Sequence, residues 1–475
     1  MGIKYRLAVP VSKTLSKICR MAKSGGTTLP GKIACGIFPD ALQEAAKDYK
    51  IIMVTGTNGK TTTTCIIGQI LKESGIEYIT NKSGANLISG IATTFLNSAD
   101  FSREPMSRTA LIEIDEATFN IACDYLEPDV LVVTNFFRDQ LDRYGELYTT
   151  LGGIRRGILK LNNTRLVLNA DDSLCASLGK DTGKTAIYFG IGPYAYKNAE
   201  KPAYTDAMYC IYCKSKYIYS NRIYGHLGAY KCPNCGYCRP ASNITCTEIL
   251  ELKSTYSRVQ ISFDNLGRHL PGNPTKKYAR NTRLAKINLP GLHNIYNSLA
   301  AIACGTLIGL PAENSVRGLG SFQCGFGRME VIDADGKHIK MILVKNPSSF
   351  NQALKFLISE DKPVQVAFLI NDRAADGTDI SWLWDVDFEK LRQVAPKIGK
   401  FYVSGTRAED MALRLKYAGI GTKNIVIFKD YREMVYAGLA NTPRGSSFCM
   451  LPTYTAMFDI RRHLKEMFGL KEFWE

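Results

Sequence analysis

Apolar positions along the chain fall into two long alternating blocks. From about residue 50 to 190, the short apolar runs Ile51–Thr55, Thr109–Ile114, Asp129–Thr134 and Arg165–Asn169 alternate with helical periodicity that begins at Lys60 and near Tyr144. Such runs read as strands, and their alternation with helices predicts a mostly parallel sheet. A strong helix follows at 294–309, ending at Gly309. Beyond a glycine-rich joint (318–328), MILVKN, VQVAFLIND, KFYVSG, NIVIF and SFCMLP predict five further buried strands. The fold class is therefore α/β, with two doubly wound units over about 49–315 and 325–475. Residues 203–245, rich in Tyr and Cys, break the alternation and read as an insertion. The remaining segment, 1–48, contains Leu7, Val11, Leu15 and Ile18 at helical spacing among Lys13, Lys17, Arg20 and Lys23. It predicts a basic amphipathic helix over 5–23 with Pro10 near its start, either packed on its own domain or docked on an anionic membrane.

Composition narrows this modestly. The 475 residues are 45% hydrophobic and 22% charged, as in packed globular proteins. No run approaches the ~20 apolar residues that span a bilayer, and no secretory h-region is expected at the N-terminus. Fourteen cysteines, scattered singly apart from one cluster, suit a reducing cytoplasm. An excess of 60 Lys+Arg over 44 Asp+Glu favours anionic partners (nucleic acid, membrane or phosphorylated substrate) without choosing among them.

Candidate chemistry begins at VTGTNGKTTTT, residues 54–64, between the first strand and its helix. The strict phosphate-loop pattern needs Gly where Val54 stands, but Gly56, Gly59, Lys60 and Thr61 are in place. Glycines let backbone wrap phosphate at a helix N-terminus, Lys60 reaches the β/γ-phosphates, and the Thr61 hydroxyl suits Mg2+. Carboxylates at neighbouring strand ends complete such a site, and ALIEIDEATF offers Glu113, Asp115 and Glu116. Asp115 equally suits capping of the helix that follows. The next strand ends with Asn135, Arg138, Asp139, Gln140 and Asp142. In the insertion, Cys210, Cys213, Cys232 and Cys235 are spaced C-x2-C-x18-C-x2-C, which predicts a structural four-thiolate zinc site with no open catalytic position. Cys238 competes less well for the second knuckle. Lys214, Lys216, Arg222 and Lys231 among tyrosines leave a zinc-ribbon nucleic-acid-binding ATPase as an alternative, although no helicase-like motif series follows. In the second unit, FLINDRAADGTDISWLWDVDFE crowds Asp372, Asp376, Asp379, Asp385 and Asp387 around Trp382 and Trp384, which reads as a partner or substrate surface.

These residues carry a resemblance. TGTNGKTTT, the Glu113-Ile-Asp115-Glu116 strand end, TN…DQLD…G, LHNIYNSLAA and GFGRME resemble the Mur ligase family. The resemblance implies a ligase that uses ATP to activate a carboxylate as an acyl phosphate. It also implies that Thr57, Asn58, Gly59, Lys60, Thr61, Thr62, Asn294 and Arg328 bind ATP, and that Thr61, Glu113 and Glu116 bind Mg2+. Two departures stand out: Gln140 occupies the place of a family histidine, and Val344-Lys345-Asn346-Pro347 replaces an Asp-Tyr-Ala-His segment. The ribbon together with KNPSSFNQ, SGTRAEDMALRLKYAG and LPTYTAM is similar, over nearly the whole chain, to the ligase subunits of lipid II isoglutaminyl synthase. That narrower likeness implies a heterodimer with a glutamine amidotransferase-like subunit, GatD, that supplies ammonia. The α-carboxylate of D-glutamate in the lipid II stem peptide would become D-isoglutamine. One of Asp376, Asp379 or Asp385 would complete the partner's catalytic site. A Mur-like ligase that adds an amino acid is the other enzyme reading. A lipid-anchored substrate also gives the basic N-terminal helix a reason to sit at the inner membrane leaflet.

Overall fold

The computed structural model describes residues 3–21, 27–81, 84–99, 108–138, 147–196, 206–253, 255–264, 266, 281–322, 328–360 and 362–470. Asp139, Gln140 and Asp142 lie outside the described residues, as do 323–327 of the glycine-rich joint.

The first unit is built on a nine-stranded sheet. Strands β1 (Tyr49–Thr55), β2 (Tyr78–Thr80), β3 (Arg108–Glu113), β4 (Val130–Val133), β5 (Arg165–Asn169) and β6 (Ala186–Ile191) are parallel, in the order β2-β3-β1-β4-β5-β6. Alternation along β1 explains its unbroken apolar run: Ile51 and Met53 enter one core, and Ile52 and Val54 the other. A parallel strand covered by helices on both faces needs apolar residues on both. The chain crosses from β3 to β4 on opposite sides of β1, so the carboxyl end of β1 lies at a topological switch point, the usual place for a ligand in such sheets. Strands β9 (Ile244–Leu252), β10 (Ser257–Phe263) and β11 (Asn281–Ile287) extend the sheet beyond β6, with β10 antiparallel to both its neighbours. The alternating pattern did not predict them, because their half-exposed faces carry polar residues in an ITCTEILEL style. Between β6 and β9 stands the hairpin β7 (Ile218–Tyr224) and β8 (Leu227–Lys231).

The second unit is a six-stranded sheet. Its members are β12 (Arg328–Ala334), β13 (Lys337–Ile342), β14 (Val364–Leu369), β15 (Ile398–Ser404), β16 (Ile425–Ile427) and β17 (Ser447–Pro452), in the order β12-β13-β17-β14-β15-β16. All neighbours are parallel except β12–β13. The five expected strands are present, but the first ends at Ile342, so Leu343–Asn346 form a connection rather than strand.

The N-terminal helix α1 spans Ile3–Met21, with Pro10 inside it rather than near its start. Its apolar stripe is only partly buried, with Val11 and Leu15 half-buried. Ala8, Val9, Ser12, Ser16 and Cys19 are buried, whereas Leu7 and Ile18 are 53% and 55% exposed. Small residues allow α1 to approach α5 (Ile88–Ser98) closely. There the Ser12 hydroxyl donates to Asn97, Asn97 donates to Ser16, and Lys13 donates to the Ala99 carbonyl. Among the described residues no helix is long and apolar enough to cross a membrane.

Candidate active site

The segment Gly56–Gly59 links β1 to helix α4 (Lys60–Glu73) through two glycines at φ +120° and +85°. At Gly59 a Cβ would lie 2.1 Å from Asn297 Oδ1, so conformation and space both require glycine. The loop is anchored to the end of β4. Asn135 Oδ1 accepts from the Asn58 amide (3.0 Å), Asn135 Nδ2 donates to the Asn58 carbonyl (3.0 Å), and the Thr57 amide donates to the Asn135 carbonyl (2.9 Å). Thr134 Oγ1 also donates to the Asn58 carbonyl (2.7 Å).

Lys60 folds back over this loop. Its Nζ donates to the Gly56 carbonyl (2.7 Å) and to both Glu116 oxygens (3.0 Å each). Burial works against its charge, but Glu116, Asp115 and Glu113 more than offset this and hold its pKa above the ordinary value. Burial likewise raises the Glu116 carboxyl, with Lys60 and Lys345 opposing. Asp115 is the helix cap: its Oδ1 accepts from the Ala117 amide at 3.0 Å at the start of α6 (Glu116–Ala122). Asn81 clamps the end of β3, accepting from the Glu113 amide (2.9 Å) and donating to its carbonyl (2.8 Å).

A cavity of about 1020 Å³ opens here. It is lined from the first unit by Thr57, Asn58, Gly59, Lys60, Thr61, Thr62, Glu113 and Asn294, so most of the residues expected at the nucleotide meet in one place. Asn294 lies in the first turn of the helix Leu292–Leu307 and donates to the Pro290 carbonyl (2.8 Å). Glu116 sits beneath, paired with Lys60. The Arg328 side chain lies outside the described residues, although its backbone begins β12.

The second unit supplies the opposite wall, including Lys345, Ser348, Gln352, Ala375 and Tyr454. The departure Val344-Lys345-Asn346-Pro347 falls at the contact itself. Lys345 Nζ donates to the Thr57 carbonyl (3.0 Å), and Asn346 Nδ2 donates to Asn58 Oδ1 (3.1 Å). Asn346 also caps the helix Pro347–Ser359 through the Ser349 amide, so its orientation is set by that helix. In the sequence these residues depart from the general Mur ligase pattern, close the expected strand MILVKN and open the KNPSSFNQ motif. Their signal was a cap followed by Pro at the first helical position, directly after a strand.

The three candidate aspartates differ in setting. Asp376 is buried and held by the amide and hydroxyl of Thr455. Asp385 is half-buried at the end of the 3-10 turn Ser381–Asp385. Asp379 is exposed, and its two oxygens accept from the Ser381 amide (2.8 Å) and hydroxyl (2.9 Å). Only one tryptophan of this loop faces solvent. Trp382 packs on Phe350, whereas Trp384 (52% exposed) stands against Tyr417 (66% exposed), with their ring centres 5.5 Å apart.

In the insertion, the Cys210, Cys213, Cys232 and Cys235 sulfurs all lie within 4.8 Å of one another. Four thiolates around a tetrahedral zinc at ~2.3 Å would be about 3.8 Å apart, so the cluster is compatible with the ion. Both knuckles turn through a positive φ, at Lys214 and Gly236. Tyr217 and Tyr230 are buried against the cysteines rather than presented as stacking platforms, while Tyr209 and Tyr212 are exposed.

Residues 54–225 match the Mur ligase middle domain, and residues 343–457 match the MurT ligase C-terminal domain. The MurT subunit of the glutamine-hydrolysing lipid II isoglutaminyl synthase of Streptococcus pneumoniae is 36% identical over 92% of both chains. This chain belongs to the MurT family. The Staphylococcus aureus MurT subunit is 32% identical over 97% of this chain and 98% of its own. Among solved structures, a pseudomurein peptide ligase type C from Methanothermus fervidus superposes with TM-score 0.64 over 90% of this chain and 81% of its own, at 22% identity, which carries the fold. Members of the MurT family are Mur ligase-type enzymes, and the fold implies ATP and Mg2+.

Proposed function

We propose that this chain is the ligase subunit of a lipid II isoglutaminyl synthase and performs ATP-dependent amidation of the D-glutamate α-carboxylate. The observation that carries the reading is the cavity between the two units, where Lys60 and Lys345 converge on Thr57 from opposite walls. A carboxylate becomes an acyl donor once its oxygen attacks the γ-phosphorus of ATP, giving an acyl phosphate and ADP. Ammonia then attacks the carbonyl carbon, inorganic phosphate leaves, and the amide loses a proton. Catalysis of such transfer is mainly positioning and neutralisation of charge. The Gly59 amide and the α4 N-terminus cradle the phosphates, the two lysines neutralise the transferring group, and Asn294 faces the nucleotide from the far side. Thr61 and Glu113 are the residues that would hold Mg2+, which would supply further neutralisation of the phosphate charge. Glu116 serves Lys60 first. Closure of the second unit over the loop keeps water from the acyl phosphate.

Ammonia comes from a glutamine amidotransferase-like partner of the GatD type. Asp379 is the aspartate best suited to complete that partner's site, being exposed and already oriented by Ser381, as the third member of a nucleophile–base–carboxylate set must be. Trp384 and Tyr417 form the adjoining docking surface. The four cysteines hold a structural zinc. Helix α1, its Leu7 and Ile18 outward beside lysines and with no acid in its first turn, rests on the inner membrane leaflet near the lipid-anchored substrate.

The test is mass spectrometry of lipid II incubated with this chain, ATP, Mg2+ and ammonium salt. We expect a loss of about one mass unit at D-glutamate, hydroxyl being replaced by amine. If the substrate stays unmodified even with the glutaminase subunit and glutamine present, while a supplied amino acid is ligated instead, the amidation reading is wrong.

A further inference from the structure

The cysteine hairpin does not stand apart from the nucleotide loop. Strands β7 and β8 pair from Ile218↔Lys231 beside the cysteines to Tyr224↔Leu227 at the far end. At ~3.3 Å per residue, the seven residues of β7 reach roughly 20 Å. That far end is driven into the first unit. Tyr224, His226 and Leu227 are buried, and Phe137 lies against both the Tyr224 ring (5.7 Å, parallel) and the His226 ring (4.6 Å). The turn passes so close that a Cβ on Gly225 would sit 2.8 Å from the Phe137 ring.

Two of three consecutive residues are held directly from the insertion, and the first is held through Asp172. The Phe136 amide donates to Asp172 Oδ2 (2.7 Å), and the other oxygen of Asp172 lies 3.4 Å from His226 Nε2. Phe137 is sandwiched as described, and the Arg138 amide donates to Asp206, which precedes the first knuckle (3.1 Å). Immediately before them stands Asn135, the anchor of Thr57 and Asn58. Phe137 adds its own link, its amide donating to Thr57 Oγ1 (3.2 Å). A second tie runs from the hairpin base, where Tyr237 donates to the Ser173 carbonyl (2.7 Å), next to Asp172.

We infer that the cysteine hairpin is a positioning element for the phosphate loop, with Phe137 and His226 as its contact, so that zinc at the cysteines and nucleotide at the loop favour each other's binding. The inference rests on the zinc and nucleotide readings above. Coupling between two bound ligands is reciprocal at equilibrium, so nucleotide changes zinc affinity by the same factor as zinc changes nucleotide affinity.

The experiment uses the full zinc-loaded chain and the chelator-driven rate of zinc loss, followed colorimetrically with and without saturating MgADP. ADP binding and zinc content are each measured separately by calorimetry and metal analysis. We expect ADP to slow zinc loss several-fold in the native chain. In Phe137→Ala, with its zinc still stoichiometric, we expect ADP to bind about tenfold more weakly and, even at saturation, to leave zinc loss unaffected. Should Phe137→Ala not fold, as judged by its thermal melt, His226→Gln takes its place with the same expectation. Bound ADP that leaves the native zinc-loss rate unchanged overturns the coupling. So does equal slowing in the variant, because general stabilisation of the fold would then account for it. A chain that binds no ADP, or carries no zinc, overturns the underlying readings instead, and the separate measurements tell these cases apart.

Discussion

Lys345 shows what one side chain adds once two units meet. In the sequence it departs from the general Mur ligase pattern; in space its ammonium lies at the Thr57 carbonyl, which Lys60 approaches from the other wall. Removing one preorganised charge-stabilising donor from a transfer site typically costs ~10²–10³ in turnover. We therefore expect Lys345→Ala to lower kcat by about that factor at saturating ATP. The half-exposed site predicts a melting temperature that barely moves. A change confined to KM would show that Lys345 only binds substrate. Asp115→Ala tests a different role. With its cap lost, α6 should weaken and the protein lose about 1 kcal/mol in denaturant unfolding. A loss of Mg2+-dependent ATP binding without loss of stability would make Asp115 a ligand instead of a cap. Gly59 is a third case, because its Cβ would collide with Asn297. That requirement was legible in the motif, but the colliding partner, 238 positions away, was not.

Among the elements, α1 separates pattern from packing. Its apolar stripe at Leu7, Val11, Leu15 and Ile18 is plain in the sequence, which leaves open whether it packs on the domain or on a membrane. Leu7 and Ile18 face out, and Val11 and Leu15 are half-buried, because Ser12 and Ser16 find hydrogen-bond partners on α5 and their small volume permits close approach. Ser12→Leu should accordingly overpack that contact and cost about 1–3 kcal/mol. The double change Leu7→Asp and Ile18→Asp should leave stability nearly unchanged and abolish binding to vesicles containing anionic lipid. Unchanged vesicle sedimentation would remove the membrane role from this helix. The cysteine hairpin is the opposite case. Its C-x2-C spacing dictated the knuckles, since two thiolates on a tight turn reach one ion, whereas the burial of its far end against Phe137 had no local signal.

For the whole molecule, the decisive arrangement is one sheet's loop facing another sheet's connection across a cavity of about 1020 Å³. The exposed pair Trp384 and Tyr417 lies on the second unit and does not line that cavity. Aromatic anchors of this kind dominate many interfaces. Trp384→Ala should weaken assembly with the glutaminase subunit at least tenfold while leaving ATP binding intact, measurable by biolayer interferometry and calorimetry. Asp379→Asn should abolish glutamine-dependent amidation yet preserve the ammonium-dependent reaction. If Asp376→Asn or Asp385→Asn shows that split instead, the aspartate is reassigned.

What the sequence by itself determined was whatever local physics controls. Apolar runs covered on both faces made β1, β3, β4, β5 and β14 recognisable. Glycines at positive φ before Lys60 marked the phosphate loop, and paired cysteines marked the knuckles. The tertiary structure alone decided which faces were buried and which distant groups met. The antiparallel strands β9–β11 gain their place only by pairing onto β6. Helix α1 turns its small residues inward because a complementary surface exists on α5. Lys345 reaches Thr57, and His226 reaches the segment that anchors it, because packing brings together residues that no periodicity connects. Periodicity reports a residue's own element, whereas a site is the meeting of several elements, and only the folded chain brings them into register.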